Sequence, residues 1–244
     1  NKINVAEKLQ GISAKHIFGT DEYGRDYFTR ALYGGRISLT VGFCSMIMTV
    51  ILGTAIGITS GYFGGKVDMF LMRFTEIFGA IPFLPFAMIL SALMAQMDIS
   101  ENEKIFILMV ILGLLSWTGL ARLVRGQVLE LKESEYVMAA KALGTPTLKI
   151  VTRHLIPNTM SIIIVQTTFS IPSFIFSEAF LSFIGMGIQP PLTSWGAMAS
   201  LGQQQMAYYP HELIFPALAI SVTMLAFNLL GDGLRDAFDP KLRQ

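Results

Sequence analysis

The side chains that could do chemistry in this chain are few and scattered. His16, His154 and His211 stand far apart, and none lies at metal-ligand spacing from another His or a Cys. The single cysteine, Cys44, sits in an apolar run as a small hydrophobe, and it leaves no internal disulfide or multi-cysteine metal site to form. Glu178 stands out as a carboxylate inside an otherwise apolar stretch, where an ionisable group is costly and marks a functional candidate. Its other reading is a local cap or pair near a bilayer surface, because the Gly185 turn region follows seven residues on. Asn228 and Asp232 lie near the end of the last apolar run, with Arg235 three residues further. The glycine pairs Gly34-Gly35 and Gly64-Gly65 and the Gly185–Gly187 turn lack the Lys-Ser or Lys-Thr of a phosphate loop. No Ser–His, paired-Asp or zinc-ligand set stands on the apolar runs, so the expected catalytic and metal-binding residues are none.

The elements that must carry these groups are set by hydropathy. Residues are 52% hydrophobic and 14% charged, against about 25% charged in soluble domains, which argues for burial in lipid. A net charge of +1 gives no support for nucleic-acid binding. A spanning helix needs about 20 mostly apolar residues. Ile37–Tyr62 qualifies without a single charge. Val67–Met97 is long enough but is interrupted by Pro82 and Pro85, which imply a kinked or broken helix. Ile105–Val128, Ile156–Ile184 (with Pro172 inside) and Leu213–Gly231 complete five spans of an all-α, polytopic transmembrane helical bundle.

Charge orients them. Arg122, Arg125, Lys132, Lys141, Lys149 and Arg153 crowd between the third and fourth spans, whereas no Lys or Arg occurs from Leu155 to Leu234. The positive-inside rule then puts residues 121–154 and the tail in the cytoplasm and residues 185–212 outside. Alternation places residues 1–36 outside despite their six Lys/Arg against four acids; long translocated segments follow the rule poorly. An external start calls for one more span upstream, giving six. Three parts are expected: an extracytoplasmic segment at 1–36, a transmembrane domain at 37–233 and a cytoplasmic tail at 234–244. Trp195 and Tyr208-Tyr209 flank the external loop, where aromatic side chains anchor the interface.

The stretch from Glu135 to Asn158, EYVMAAKALGTPTLKIVTRHLIPN, is a basic helix-turn-helix pattern on the water face. Glu135–Leu143 is rich in helix formers. Gly144 stands where a helix end takes a left-handed residue, Thr145 and Pro146 read as N-cap and first residue of a second helix, and Pro157 falls just inside the next span. The small pair Ala139-Ala140 lets another surface approach closely. An ordinary amphipathic connector has the same chemistry.

This stretch resembles the EAA loop of ABC-importer permeases. Their pattern runs Glu-Ala-Ala, three residues, Gly, nine residues, then Ile-x-Leu-Pro. Ala139, Ala140, Gly144 and Pro157 match it; Ile156 stands at the Leu, Met138 at the Glu and His154 at the Ile. Glu135-Tyr136-Val137 and Arg153-His154 through Pro157-Asn158 resemble the peptide and nickel branch. So do His16–Leu39, Gly61–Arg73, Ser177–Gly196 and Ala226–Arg243, which extends the likeness over nearly the whole chain in order. The chain is similar to the second permease of oligopeptide and dipeptide importers, with a type I importer fold.

The resemblance implies a coupling loop at 130–157 that grips an ATPase through Glu135, Tyr136, Met138, Ala139, Ala140, Lys141, Gly144 and Pro157. With Met138 in place of the acid, Glu135 is left to supply that charge. The implied partners are a homologous permease, two cytoplasmic ATPases and an extracytoplasmic substrate-binding protein. No cofactor is expected in this chain; ATP and Mg are expected on the ATPases. Exposed backbone at Pro82, Pro85 and Pro172, together with Glu178, is the expected translocation pathway. Peptides are the favoured cargo, with nickel or another small solute the alternative. An ion-coupled secondary transporter is the reading from a different class. The spans hold few ionisable groups, mainly Arg73, Glu76 and Glu178, and no repeated halves, which counts against it.

Overall fold

Asp26 starts the first long helix. Its carboxylate accepts the Thr29 amide at 2.8 Å, capping α1 (Tyr27–Phe63). The computed structural model describes residues 3–238, and α1 begins ten residues before the apolar run at Ile37. At about 1.5 Å per residue it outruns a ~30 Å hydrocarbon layer, so its first turns stand clear of the bilayer.

The interrupted second span is two helices, α2 (Gly65–Gly79) and α3 (Phe83–Ala95), which meet at 73°. Pro82 is the residue before α3, and Pro85 lies in its first turn, where a missing amide hydrogen costs nothing. Next, α4 (Glu101–Leu131) starts at a capping box between Ser100 and Glu103. The basic loop holds α5 (Glu135–Ala142) and α6 (Thr147–Ile150). A π turn at Val151–Leu155 then joins α6 to α7 (Ile156–Phe183) as one continuous rod. Two more helices follow, α8 (Trp195–Gln205) and α9 (His211–Phe238). Among the described residues, four helices are long and apolar enough to cross a membrane, five when the bent pair counts as one span. Of the expected tail, Lys241 and Arg243 lie outside the described residues.

The bundle is built on α1 and α4. Gly34, Ser38, Gly42, Ser45, Thr49, Gly53, Gly57 and Gly61 make one buried stripe of small residues along α1. In lipid there is no hydrophobic drive between helices, so close packing and interhelical hydrogen bonds hold them. Leu120 fills the space beside Gly53, Val124 that beside Gly57 and Val128 that beside Gly61. Ser45 donates to the Met109 carbonyl at 3.1 Å and Thr49 to the Gly113 carbonyl at 3.3 Å. At the basic end, Arg125 grips Asp68 through Nε at 2.5 Å and Nη2 at 2.6 Å, and Ser60 donates to the same carboxylate. This pin joins α1, α2 and α4.

At the opposite end the N-terminal segment folds over the bundle. Phe18 stacks on Phe215 with ring centroids 3.7 Å apart, and the Tyr27 hydroxyl donates to the Glu212 carbonyl at 2.5 Å. Arg25 and Arg30 both pair with the buried Asp21. Trp195 is not an interface anchor: it lies buried against Gly35, and its indole nitrogen donates to the Ala31 carbonyl at 2.9 Å. Tyr208, by contrast, is exposed.

A Cβ on Gly57 would stand 2.6 Å from the Ala121 carbonyl oxygen, a backbone atom that cannot swing away. Gly57→Leu is expected to cost about 1–3 kcal/mol or more, lowering the detergent melting temperature by at least ~2–4 °C per kcal/mol. Gly126→Leu, with nothing within 4 Å, is expected to melt near wild type. Burial pulls the Asp21 carboxyl up, but the Arg25 and Tyr23 amides and the two guanidiniums outweigh it and hold it below the ordinary carboxylate range. A depressed folded pKa gives stability that is full above the unfolded value of about 3.9 and is lost as pH falls through the folded one. Hydrogen exchange over residues 3–26 is expected to rise below about pH 4, and Asp21→Asn to flatten that dependence.

Candidate functional site

The basic end carries a short helix hung from the bundle by one buried side chain. Val137 is fully enclosed in a cluster with Ile58, Val124, Val128, Ile150, Leu155 and Ile163. Around that anchor α5 turns its other residues outward. Glu135, Tyr136, Met138, Ala139 and Lys141 are exposed, and Ala140 is half-buried. The Tyr136 ring lies 6.0 Å from that of His154, and the Lys141 ammonium stands 5.3 Å from the Tyr62 ring centroid. These contacts tie α5 to the far end of the loop and to α1.

The helix stops as its sequence dictates. Gly144 adopts φ +74°. Its amide donates to the Lys141 carbonyl at 2.9 Å and the Thr145 amide to the Ala140 carbonyl at 3.0 Å, the Schellman pair of bonds. The second helix differs from the sequence reading: Pro146 takes the cap position and Thr147 is the first helical residue, one later than expected. Pro157 falls in the first turn of α7 as expected, and it is exposed, in a rod that runs on unbroken from α6. Proline has no amide for the carbonyl one turn back and its ring crowds that carbonyl. The π turn just before it widens the ladder, with Ile156 bonding to Val151, and so admits the proline without breaking the helix. Leu143 (86% exposed) and Leu148 (74%) project from the turn between α5 and α6, extending the surface of Met138.

The four residues expected on a pathway are not brought together. Pro82 and Pro85 are exposed at the bend, whereas Pro172 is buried within α7. Glu178 is fully buried, which departs from its expected place on the pathway. Its carboxyl accepts from Ser38 of α1 at 2.7 Å and from Ser182 at 2.7 Å, while the Trp195 amide donates to Ser38 at 3.3 Å. The costly group is satisfied by hydroxyls and locks α1, α7 and α8 together. Beside the bend is an open cleft of about 400 Å³, lined by Phe83, Ser116, Gln166, Phe169, Ser170, Ser173, Phe174 and Ser177. Among the described residues, no group of three or more His, Cys, Asp or Glu is placed to hold a metal ion.

Sequence reasoning missed Val137, the Asp68–Arg125 pin and the hydroxyl-lined face. Only the last left a local signal, the spacing of Gln166, Ser170, Ser173 and Ser177 along one helical side.

These elements define a polytopic membrane helical bundle with a small helix hung from its basic face. The chain belongs to the family of binding-protein-dependent transport system inner membrane components, whose profile matches residues 53–244. It is a multi-pass membrane protein and a transport subunit, not an enzyme. It is 45% identical to an oligopeptide transport system permease protein of Haemophilus influenzae, over 100% of this chain and 75% of the relative. It is 47% identical to a dipeptide transport system permease protein of Bacillus subtilis, over 95% of this chain and 71% of the relative. The fold is shared with an inward-facing methionine ABC transporter (TM-score 0.65, 16% identity, covering 93% and 99%). It is also shared with an amino acid ABC transporter (TM-score 0.62, 17% identity, covering 87% and 95%).

Because α5 hangs on Val137, Val137→Asp is expected to release it. An unpaired charge in that cluster is strongly disfavoured. Hydrogen exchange across 135–142 is expected to rise at least ~10-fold, equivalent to ~1.4 kcal/mol, while exchange in the α1–α4 core stays near wild type.

Proposed function

We propose that this chain forms half of a passage through which peptides enter the cell, and that α5 is the handle by which an ATPase subunit moves it. The observation that carries the reading is α5 itself, fixed to the bundle by Val137 and exposing Met138, Ala139 and Lys141 at the basic end. Exposed Met and Leu side chains around a small-residue pair form an apolar knob suited to a groove on another protein. The peptide cargo is supported by the likeness to oligopeptide and dipeptide permeases.

In this reading two ATPase subunits, with ATP and Mg²⁺ bound to them, close on each other and carry α5 along. Val137 and Ile150 share one cluster with Ile58 of α1, Val124 of α4 and Ile163 of α7, so a push on α5 is delivered to three spans at once. The spans then rock as a body and alternate the open side of the passage. A homologous permease supplies the other wall. A substrate-binding protein delivers cargo at the external end, where the N-terminal segment and α8 are packed together. Cargo does not react; the work is done by the change of shape.

The test is transport and co-purification with the partner subunits. Ala139 is exposed and Ala140 half-buried, so a charge at Ala139 perturbs docking with the least effect on folding. Ala139→Glu is expected to reduce ATPase recovery with the membrane subunits about 10-fold (~1.4 kcal/mol) and to abolish peptide uptake, with membrane insertion retained. Normal uptake at normal expression would remove α5 from the coupling role.

A further inference from the structure

Along α7, Gln166, Ser170, Ser173 and Ser177 follow at intervals of four, three and four, so they share one helical face. The face is centred on the middle of the 28-residue helix, at bilayer depth. Its hydroxyls are already bonded along the helix: Ser170 donates to the Gln166 carbonyl at 2.8 Å, Ser173 to Phe169 at 3.3 Å and Ser177 to Ser173 at 2.8 Å. Across the cleft Ser116 of α4 donates to the Leu112 carbonyl at 2.8 Å. With their hydrogens engaged, the hydroxyl oxygens retain lone pairs for an outside donor. Gln166 is exposed, and an exposed amide facing hydrocarbon costs several kcal/mol by the order of magnitude for such groups. The outward row of α9, Leu218, Val222, Leu225 and Leu229, shows what a lipid-facing surface of this chain looks like: exposed and wholly aliphatic. The α7 face is built differently, of hydroxyls and an amide.

The cleft has the walls of a binding site. Phe83, Phe169 and Phe174 bound it. Phe169 is itself held by α9, since a Cβ on Gly231 would come within 2.9 Å of its ring. A volume of about 400 Å³ falls within the ~300–1,000 Å³ of small-molecule sites. Among the described residues that line it, none is ionisable. Glu178 adjoins Ser177 in sequence but is turned into the packed core.

We infer that this cleft is the chain's share of the cargo wall: it hydrogen-bonds the backbone of an extended peptide and, being uncharged, is indifferent to the charge of the peptide's side chains. The inference rests on the peptide-importer reading and deepens it. A wall of hydroxyl, amide and ring faces offers every peptide the same partners, because each residue of cargo presents the same N–H and C=O groups. A fixed charge would instead attract one class of side chain and repel the other.

The test places a charge on the wall after assembly, so that folding is not at issue. Ser173→Cys in a Cys44→Ser background is assembled with all partner subunits in proteoliposomes. It is then treated with a cationic or an anionic water-soluble methanethiosulfonate. Uptake of Ala-Ala-Ala, Ala-Asp-Ala and Ala-Lys-Ala is measured, each relative to the unmodified transporter with the same peptide, so that preferences of the binding protein cancel. The cationic adduct is expected to slow Ala-Lys-Ala about 10-fold more than Ala-Asp-Ala (~1.4 kcal/mol), and the anionic adduct to do the reverse. A thiol that fails to react shows the face closed to water and overturns the inference. So does an adduct that affects all three peptides equally. An unmodified transporter that hydrolyses ATP but takes up no peptide overturns the importer reading itself, and this inference with it.

Discussion

Everything in this bundle depends on how closely α1 can approach α4. In lipid the two helices gain nothing from expelling water, so the contact must come from matched surfaces and buried hydrogen bonds. Glycines 53, 57 and 61 supply the recess, and Leu120, Val124 and Val128 fill it. Ser45 and Thr49 add bonds to carbonyls of the facing helix. Since α4 leads directly into the basic loop, its seating on α1 also fixes where that loop emerges. The Asp68–Arg125 pin then sets the short helix α2 against the same pair, so three elements share one reference point at the basic end.

From that point the route to α7 is mechanical. Val137 and Ile150 lie in the cluster that holds Leu155 and Ile163, and the helix from Thr147 to Phe183 is unbroken. A flexible joint at Pro157 would let the loop move independently of the span. The π turn removes the need for one by accommodating the proline within the rod. At the far end Glu178 ties α7 to α1 and α8 through serine hydroxyls. The rod is thus held near both ends and open along its middle, where the hydroxyl face lies.

Much of this was legible in the sequence because the strongest signals are local. Apolar runs located the spans. Gly144 announced its left-handed turn by composition alone. What stayed hidden depends on partners far away in sequence. Asp68 and Arg125 are 57 residues apart, and Ser38 lies 140 residues from Glu178. No reading of neighbours could pair them, so Glu178 read as a pathway group when it is a buried tie. The start of α1 was hidden for a related reason. The ten residues before Ile37 include Arg30, Arg36 and the pair Gly34-Gly35, but Asp26 caps them and Arg30 finds Asp21, so the helix begins before the apolar run. Trp195 looked like an interface anchor until Gly35 was seen to leave it a slot.

The hydroxyl of Tyr27 and the carbonyl of Glu212 are separated by 185 positions along the chain. During synthesis the first of them leaves the ribosome long before the second exists. The closure, with Phe18 laid on Phe215, therefore waits for α9 to be made. A chain arrested before α9 would leave Phe18 uncovered and the Tyr27 phenol without its acceptor. The seam between the N-terminal segment and α9 thus forms only after every helix between them has been made.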